Sequence, residues 1–132
     1  MHRGLVSVSE AGSAVFNAKY PTPALANSCG QSGAYSNQGR YYYSWTGTSQ
    51  VTNLLDVIDM GISTLAPIAY GNLDNDGVVP RCSTHFGKVI RDDYKLTHLD
   101  EVNLVLGLRD VFAPDPVSLY RQHANRLKLQ GL

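Results

Sequence analysis

Among the side chains of this sequence that could do chemistry, one aspartate and one histidine stand in a suggestive order. Asp76 lies in a turn-rich segment, and His98 follows it by 22 residues. An acid followed by a histidine is the order found in one arrangement of the Ser-His-Asp triad. There the histidine is the general base and the aspartate orients it. A lone histidine is more often a surface or hydrogen-bonded side chain, and His85 and His123 share that alternative.

The segment around Asp76 permits other interpretations. Asn, Asp and Gly residues are strong turn formers, so the segment could be a turn without chemistry. Asn72, Asp74, Asp76 and Gly77 also fit the first positions of an EF-hand loop, but position 12 would be Ser83 instead of the required Glu. The EF-hand interpretation therefore fails. A carboxylate at the C-terminal end of a strand, where α/β folds place their sites, remains the third possibility.

A nucleophile for such a triad is not evident in these residues. The triad order found here requires a G-x-S-x-G turn before the aspartate. The nearest segment is Gly30-Gln-Ser-Gly33, which has the wrong spacing. Asp76 and His98 alone therefore lack the attacking serine.

Asp100 has both a structural and a metal-binding interpretation. Thr97-His-Leu-Asp100 has the form of a capping box before the run 102–108. Alternatively, Asp100 could bind a metal together with an acid from elsewhere, such as Asp56. Ligation by carboxylates and backbone carbonyls suits calcium better than zinc.

The two cysteines exclude some sites and leave one question open. Cys29 and Cys82 are 53 residues apart, which excludes a CxxC redox motif and a zinc-ribbon spacing. They could be two buried thiols or one disulfide. A disulfide would indicate an oxidising compartment.

Length and composition narrow the class of protein. The chain has 132 residues, which fits one domain or a piece of a larger one. Eleven basic and eleven acidic residues give a net charge of +0, so no electrostatic footprint for nucleic acid or an anionic membrane is visible. No apolar run approaches the ~18 residues of a membrane span. The first four residues lack the pattern of a signal peptide.

Helical signals are clearest at the two ends of the chain. A short helix is predicted within residues 1–19, capped by Ser9 and ended by the prolines that follow. The last helix is predicted to begin with Asp115 as its cap and Pro116 at its first position. His123 is predicted to face outward on that helix.

Strand signals occupy the middle of the chain. A hairpin is predicted over 34–45 with its turn at 37–39, followed by a turn at 46–49. Short strands are predicted over 64–70 and 87–94, while the apolar segment 51–59 is of undecided type. Helices and strands alternate, so the predicted class is α/β. With so few strands, the sequence resembles the second half of such a fold.

Several motifs make a family resemblance specific. From about Ser9 onward the chain is similar to the C-terminal half of the Pseudomonas-type secreted triacylglycerol lipases, which have the α/β-hydrolase fold. The resemblance implies that residues 1–132 are the C-terminal portion of one such domain. The matching segments occur in the family's order: Phe16–Pro21, Tyr42–Trp45, Asn53–Asp56, Asn75–Gly77, Gly87–Asn103 and Tyr120–Lys128.

This resemblance implies roles for particular residues. Asp76 would be the triad acid and His98 the triad base, and Cys29 would pair with Cys82 in a disulfide. Asp56 and Asp100 would be calcium carboxylates. The backbone carbonyls of Leu104 and Leu108 would complete the calcium site, although position 104 usually holds Gln in the family. Because a carbonyl oxygen is the ligand, Leu104 does not abolish the site.

The resemblance also implies an activity and partners. The expected function is part of a secreted, calcium-stabilised lipase acting on acylglycerol esters, with the nucleophilic serine in an N-terminal half that these residues do not include. A lipase-specific foldase is the expected partner of the full-length protein, and no nucleic acid is expected. The alternative is a non-catalytic calcium-binding remnant or a truncated gene product. Alone, the chain is expected to be inactive.

Overall fold

The computed structural model describes residues 10–26, 29, 33–51, 57–103 and 112–132. Three α-helices, four β-strands and two short 3₁₀ helices lie within these residues. In chain order they are α1 (Glu10–Lys19), β1 (Ser36–Asn37), β2 (Arg40–Tyr41), β3 (Tyr43–Gly47), α2 (Val57–Tyr70), a 3₁₀ helix (Arg81–Thr84), β4 (Lys88–Tyr94), a second 3₁₀ helix (Asp100–Val102) and α3 (Pro116–Leu129).

The two terminal helices agree with the local signals. Helix α1 lies within the predicted span, while Ser9 lies outside the described residues. Helix α3 has Pro116 in its first turn, and the carboxylate of Asp115 accepts a hydrogen bond from Ser118 N at 3.2 Å. Arg126 and Lys128 lie in its last turn, where the helix dipole favours cations.

The predicted hairpin exists but is shorter than expected. Strands β1 and β2 pair antiparallel, with Asn37 opposite Arg40. Gln38 and Gly39 between them both have positive φ, at 51° and 74°. Two successive positive φ angles are the geometry of the type I′ turn that suits two-residue hairpins.

Strand β3 does not extend that hairpin. It pairs in parallel with β4, with Tyr43 opposite Lys88 and Gly47 opposite Tyr94. The turn predicted at 46–49 is therefore wrong at its first two residues, which end β3. Gly47 is needed because a Cβ at this position would collide with the carbonyl of Leu96. The predicted strand at 87–94 is confirmed.

The strand predicted over 64–70 is wrong, because this segment forms the second half of α2. The helix starts at Val57, so its length allows a 3.6-residue apolar period that a seven-residue window conceals. Pro67 lies inside it and removes one backbone donor. The helix nevertheless continues, since Gly71 N donates to the Pro67 carbonyl at 2.9 Å.

Buried side chains among the described residues are mostly polar. Ala24, Val89 and Leu96 are the buried hydrophobic residues of this part of the chain. The buried polar residues are Thr46, Asn75, Asp76, His85, Thr97 and Asp100. Thr46 lies near the end of β3, and Thr97 and Asp100 follow the end of β4, so part of this buried polar set lies where a parallel sheet places its functional site.

The described residues thus form a small mixed helix and strand structure with incomplete sheets, compatible with part of an α/β fold. Within the described ranges, no helix has the length and apolar character to cross a membrane.

Candidate active site

Asp76 is held in a turn between α2 and the first 3₁₀ helix. Its side chain is 1% exposed. One carboxylate oxygen, Oδ1, accepts hydrogen bonds from Val78 N at 2.9 Å and Val79 N at 2.7 Å. Asn75 supports the turn from within by accepting a bond from Gly77 N at 2.9 Å. Asp76 thus lies in a turn that follows helix α2, and the expectation of a carboxylate at the C-terminal end of a strand over 64–70 is wrong. The turn fixes Oδ1, while Oδ2 faces another part of the chain.

His98 lies opposite Asp76 Oδ2. Its Nδ1 lies 2.8 Å from Asp76 Oδ2, and its backbone N donates to the Asp76 carbonyl at 2.9 Å. The imidazole side chain is 42% exposed. The two residues that are 22 positions apart in sequence are therefore joined twice, with a buried carboxylate behind a solvent-accessible ring. This is the geometry in which a carboxylate selects the tautomer that leaves Nε2 to accept a proton.

Glu101 is a third ionisable residue at this site. Its carboxylate accepts hydrogen bonds from Gly47 N and from Thr46 Oγ1. Burial raises the pKa of Glu101 above its ordinary value, the bond from Gly47 N opposes this, and the neighbouring Asp76 charge raises it further. Sequence reasoning missed Glu101, because nothing in its local pattern distinguishes it from a surface acid.

The side chains of Asp76, His98 and Glu101 also lie close enough to hold a metal ion, with donor atoms within 4.8 Å of one another. Calcium prefers an all-oxygen ligand set. The histidine and the direct bond between Asp76 and His98 suit acid–base chemistry better than calcium binding. This group differs from the predicted calcium site.

Of the residues predicted to bind calcium, Asp100 is described. It is 5% exposed and forms the predicted capping box: its Oδ2 accepts from Thr97 N at 3.1 Å, and its backbone N donates to Thr97 Oγ1 at 3.3 Å. The other predicted ligands, Asp56, Leu104 and Leu108, lie outside the described residues.

The cysteines form a disulfide. Cys29 and Cys82 are bonded with their Cα atoms 4.8 Å apart. Cys82 lies in the first 3₁₀ helix, directly after the turn that carries Asp76. The bond therefore ties the base of that turn to the N-terminal loop.

A charged cluster next to the disulfide was not predicted. Arg81 donates from Nε and Nη2 to the two oxygens of Asp92, at 3.0 and 3.1 Å. His85, a buried residue, approaches the same carboxylate with its Nε2 at 2.9 Å. The hydrogen bond from Arg81 holds the pKa of Asp92 below its ordinary value. These residues meet across a strand and a 3₁₀ helix, so no short motif could reveal them.

His123 does not face outward as predicted. Its ring lies against Trp45 and Tyr43 of β3, with centroid distances of 5.0 and 5.1 Å. Burial lowers the pKa of His123, and the Arg126 charge beside it lowers it further. His123 is therefore part of the contact that places α3 on β3. It has no described role at the Asp76–His98 pair.

Comparison with known proteins gives consistent names. Over 128 residues the chain is 50% identical to a triacylglycerol lipase of Vibrio cholerae serotype O1, covering 97% of this chain and 40% of the relative. It is 37% identical over 156 residues to triacylglycerol lipases of Pseudarthrobacter phenanthrenivorans and Burkholderia plantarii, covering 97% of this chain and 49% and 44% of those relatives. No family model matches.

The chain thus spans less than half the length of these curated relatives. The relatives share one name, and each match covers nearly all of this chain. The similarity therefore extends over the Asp76 turn, the His98 segment and helix α3 together. The chain is therefore similar over nearly its whole length to part of the bacterial triacylglycerol lipases, consistent with a C-terminal fragment of such a protein.

Proposed function

We propose that Asp76 and His98 are the acid and the base of a serine triacylglycerol lipase with the α/β-hydrolase fold. The observation that carries this proposal is the bond of 2.8 Å between Asp76 Oδ2 and His98 Nδ1, made by a buried carboxylate and a partly exposed imidazole. The names of the relatives supply the substrate class, acylglycerol esters.

The mechanism follows from this pair. A serine from a part of the protein outside these residues attacks the ester carbonyl while His98 Nε2 takes its proton. The resulting imidazolium returns that proton to the leaving alcohol, and an acyl-enzyme is formed. Water then attacks the acyl group with His98 again as base; the ester bond to the serine breaks, and His98 returns the proton to the serine oxygen as the carboxylic acid is released. Asp76 keeps Nδ1 protonated and stabilises the positive charge of His98 in both steps.

Calcium is the second element of the proposal. The carboxylates of Asp56 and Asp100 and the backbone carbonyls of Leu104 and Leu108 would hold the ion. Asp100 fits this role, since it offers hard oxygen donors from a buried position two residues after His98. Bound there, calcium would supply structural charge compensation and help fix the His98 segment.

Asp100→Ala provides the calcium test. In the parent protein, a calcium-chelating agent should lower the melting temperature, because an ion that binds only the native state stabilises it by ~2.7 kcal/mol at a hundredfold excess over its Kd. The Asp100→Ala variant should not respond to chelation. Asp93→Asn, an exposed acid of β4, is the control and should respond as the parent does. Equal responses in Asp100→Ala and parent would show that the site is misplaced.

Export and a foldase complete the proposal. A disulfide is typical of proteins that fold in an oxidising compartment, and Cys29–Cys82 supports secretion of the parent protein. A lipase-specific foldase is the proposed folding partner of that protein.

A chimera tests the catalytic assignment. The part of this chain that matches the Vibrio cholerae relative would replace the corresponding segment of that relative, with the unmodified relative as the positive control. We expect the chimera to hydrolyse a nitrophenyl ester, and Asp76→Asn to reduce turnover by on the order of 10⁴-fold, as when a triad loses its carboxylate. The matched variant Asp93→Asn should retain activity.

Two results would contradict the proposal. One is a folded chimera without turnover beside an active relative, which would favour the non-catalytic remnant. The other is full activity in the chimera carrying His98→Ala.

A further inference from the structure

The turn that carries Asp76 is anchored to the strand that leads to His98. Arg81 ends this turn: its backbone N donates to the Asp74 carbonyl at 2.8 Å, and its Nη1 lies 3.3 Å from Asp74 Oδ2. The same guanidinium donates two parallel hydrogen bonds to the carboxylate of Asp92 on β4. One side chain thus touches both the start of the turn and the strand.

Strand β4 is the element that leads to His98, the proposed base. It ends at Tyr94, and the chain reaches His98 four residues later through the buried Leu96 and Thr97. A shift of the turn relative to β4 would therefore change the distance between Asp76 Oδ2 and His98 Nδ1. The guanidinium suits this position because its planar fork fixes the direction of both bonds to a carboxylate.

His85 also contacts the carboxylate of Asp92. Its buried Nε2 lies 2.9 Å from the Asp92 Oδ2 that also accepts from Arg81 Nε. The carboxylate is thereby held by two side chains from the segment that follows the turn. Its own side chain is 22% exposed, so these bonds are partly shielded from water.

We propose that Arg81 is a positioning residue, which holds the Asp76 turn against β4 through Asp92 and so keeps Asp76 aligned with His98. This role rests on the proposed function, because alignment of the pair matters for catalysis only if Asp76 and His98 are its acid and base. Arg81 itself contacts neither of them among the described hydrogen bonds.

The experiment observes the Asp76–His98 bond directly and needs no ester turnover. In the oxidised 132-residue chain labelled with ¹⁵N, the His98 Nδ1–H proton is assigned by its loss in His98→Gln. Its solvent exchange is then measured in Arg81→Gln and in Arg91→Gln. Arg91 is the matched control, since it pairs with Asp93 on the same strand, both side chains are 55% exposed, and no described hydrogen bond joins either side chain to the turn.

We expect exchange of the Nδ1 proton to accelerate by about tenfold in Arg81→Gln, as for loss of a hydrogen bond to a charged group, and to be unchanged in Arg91→Gln. The indole N–H of Trp45, which packs on α3, should not shift in Arg81→Gln. This signal separates local misalignment from general loosening.

An Nδ1 proton that exchanges equally slowly in Arg81→Gln and in the unmodified chain would overturn the proposal. A change of the Trp45 signal together with the Nδ1 proton would also overturn it, because Arg81 would then have only a general structural role. If Arg81→Gln does not fold, Arg81→Lys decides by the same criteria, since Lys keeps the charge but cannot form the two parallel bonds. A chimera without ester turnover would leave this result unaffected, because proton exchange is measured without an ester.

Discussion

At the residue scale, Asp76 shows what local sequence can and cannot predict. The turn around it follows from Asn75 and Asp76, whose side chains accept hydrogen bonds from nearby backbone N–H groups, and from Gly77, whose φ is positive at 101°. Its contact with His98 does not follow from any local rule, because it joins two segments that only the tertiary fold brings together. The family resemblance supplied that pairing. The resemblance did not supply Arg81, Asp92 or Glu101.

Asp92→Asn should destabilise the protein at neutral pH. The folded-state pKa of Asp92 lies below its usual value of 3.8, chiefly because of the bond from Arg81. Its contribution to stability is therefore present above pH 3.8 and is lost as the pH falls through the folded-state pKa. We expect a loss of about 1 kcal/mol at pH 7, allowing for solvent screening.

Chemical unfolding at pH 7 and at pH 3 checks this expectation. The difference in unfolding free energy between Asp92→Asn and the unmodified chain should shrink at the lower pH. Asp93→Asn serves as the control, because its partner Arg91 is exposed. A deficit of Asp92→Asn that does not change with pH would contradict the assignment to an ionised carboxylate.

Glu101→Gln should stabilise the protein at neutral pH. Burial raises the folded-state pKa of Glu101 above the usual 4.5, so its ionised form is disfavoured in the folded state. Stability due to this residue consequently falls as the pH rises from 4.5 through the folded-state pKa. Gln keeps an oxygen that can accept from Gly47 N and Thr46 Oγ1 but removes the charge.

Thermal melts of Glu101→Gln and Glu101→Ala at pH 7 and pH 4 test this prediction. Ala leaves the buried Gly47 N without its acceptor and should cost about 1–3 kcal/mol. Gln should melt above the parent at pH 7, with the difference disappearing at pH 4. A lower melting temperature for Gln at pH 7 would show that the ionised carboxylate is favourable there.

At the element scale, local signals predict helix α3 and strand β4 correctly, but they misjudge where β3 ends and which element covers 64–70. Helix α3 was predicted because Asp115 and Pro116 define its start. Strand β3 was misjudged at Thr46 because its partner is β4, far along the chain. The error at 64–70 arose from judging a short window within the longer helix α2.

The contact of α3 with β3 should make stability depend on pH through His123. Burial lowers the folded-state pKa of His123 below 6.5, so the unfolded chain binds its proton first as the pH falls. The stabilisation by neutral His123 is therefore present above pH 6.5 and is lost below it. The free energy of unfolding of the unmodified chain should therefore rise with pH between pH 5 and 7.5.

His123→Leu should reduce that slope while keeping an apolar contact with Trp45. Gln122→Leu on the same helix is the control, because Gln122 is exposed and does not titrate. Fluorescence of Trp45, the single tryptophan of the chain, reports the unfolding of both variants and of the unmodified chain. An equal pH slope in His123→Leu and the parent would exclude His123 as its origin.

At the scale of the whole molecule, much apolar surface of the described part is exposed. Val15 and Phe16 of α1 are 70% and 61% exposed, and Leu65 and Ile68 of α2 are 64% and 83% exposed. The parallel sheet of the described residues has two strands, whereas parallel sheets are normally covered on both faces. These surfaces fit the proposal that the remainder of a lipase domain packs here. Sequence alone predicted an incomplete sheet, but not which helix faces it leaves exposed.

The 132-residue chain should hydrolyse no ester above background. Asp76 and His98 are aligned in it, but an acid–base pair without a serine on a G-x-S-x-G turn has no activated nucleophile. The backbone donors that stabilise the tetrahedral intermediate form beside such a turn, and losing one of them alone costs about 10²–10³-fold in turnover. Assay of a short-chain nitrophenyl ester, with His98→Ala as control, measures the outcome. Saturable turnover that is lost in His98→Ala would contradict this prediction and direct attention to Ser32 as the nucleophile.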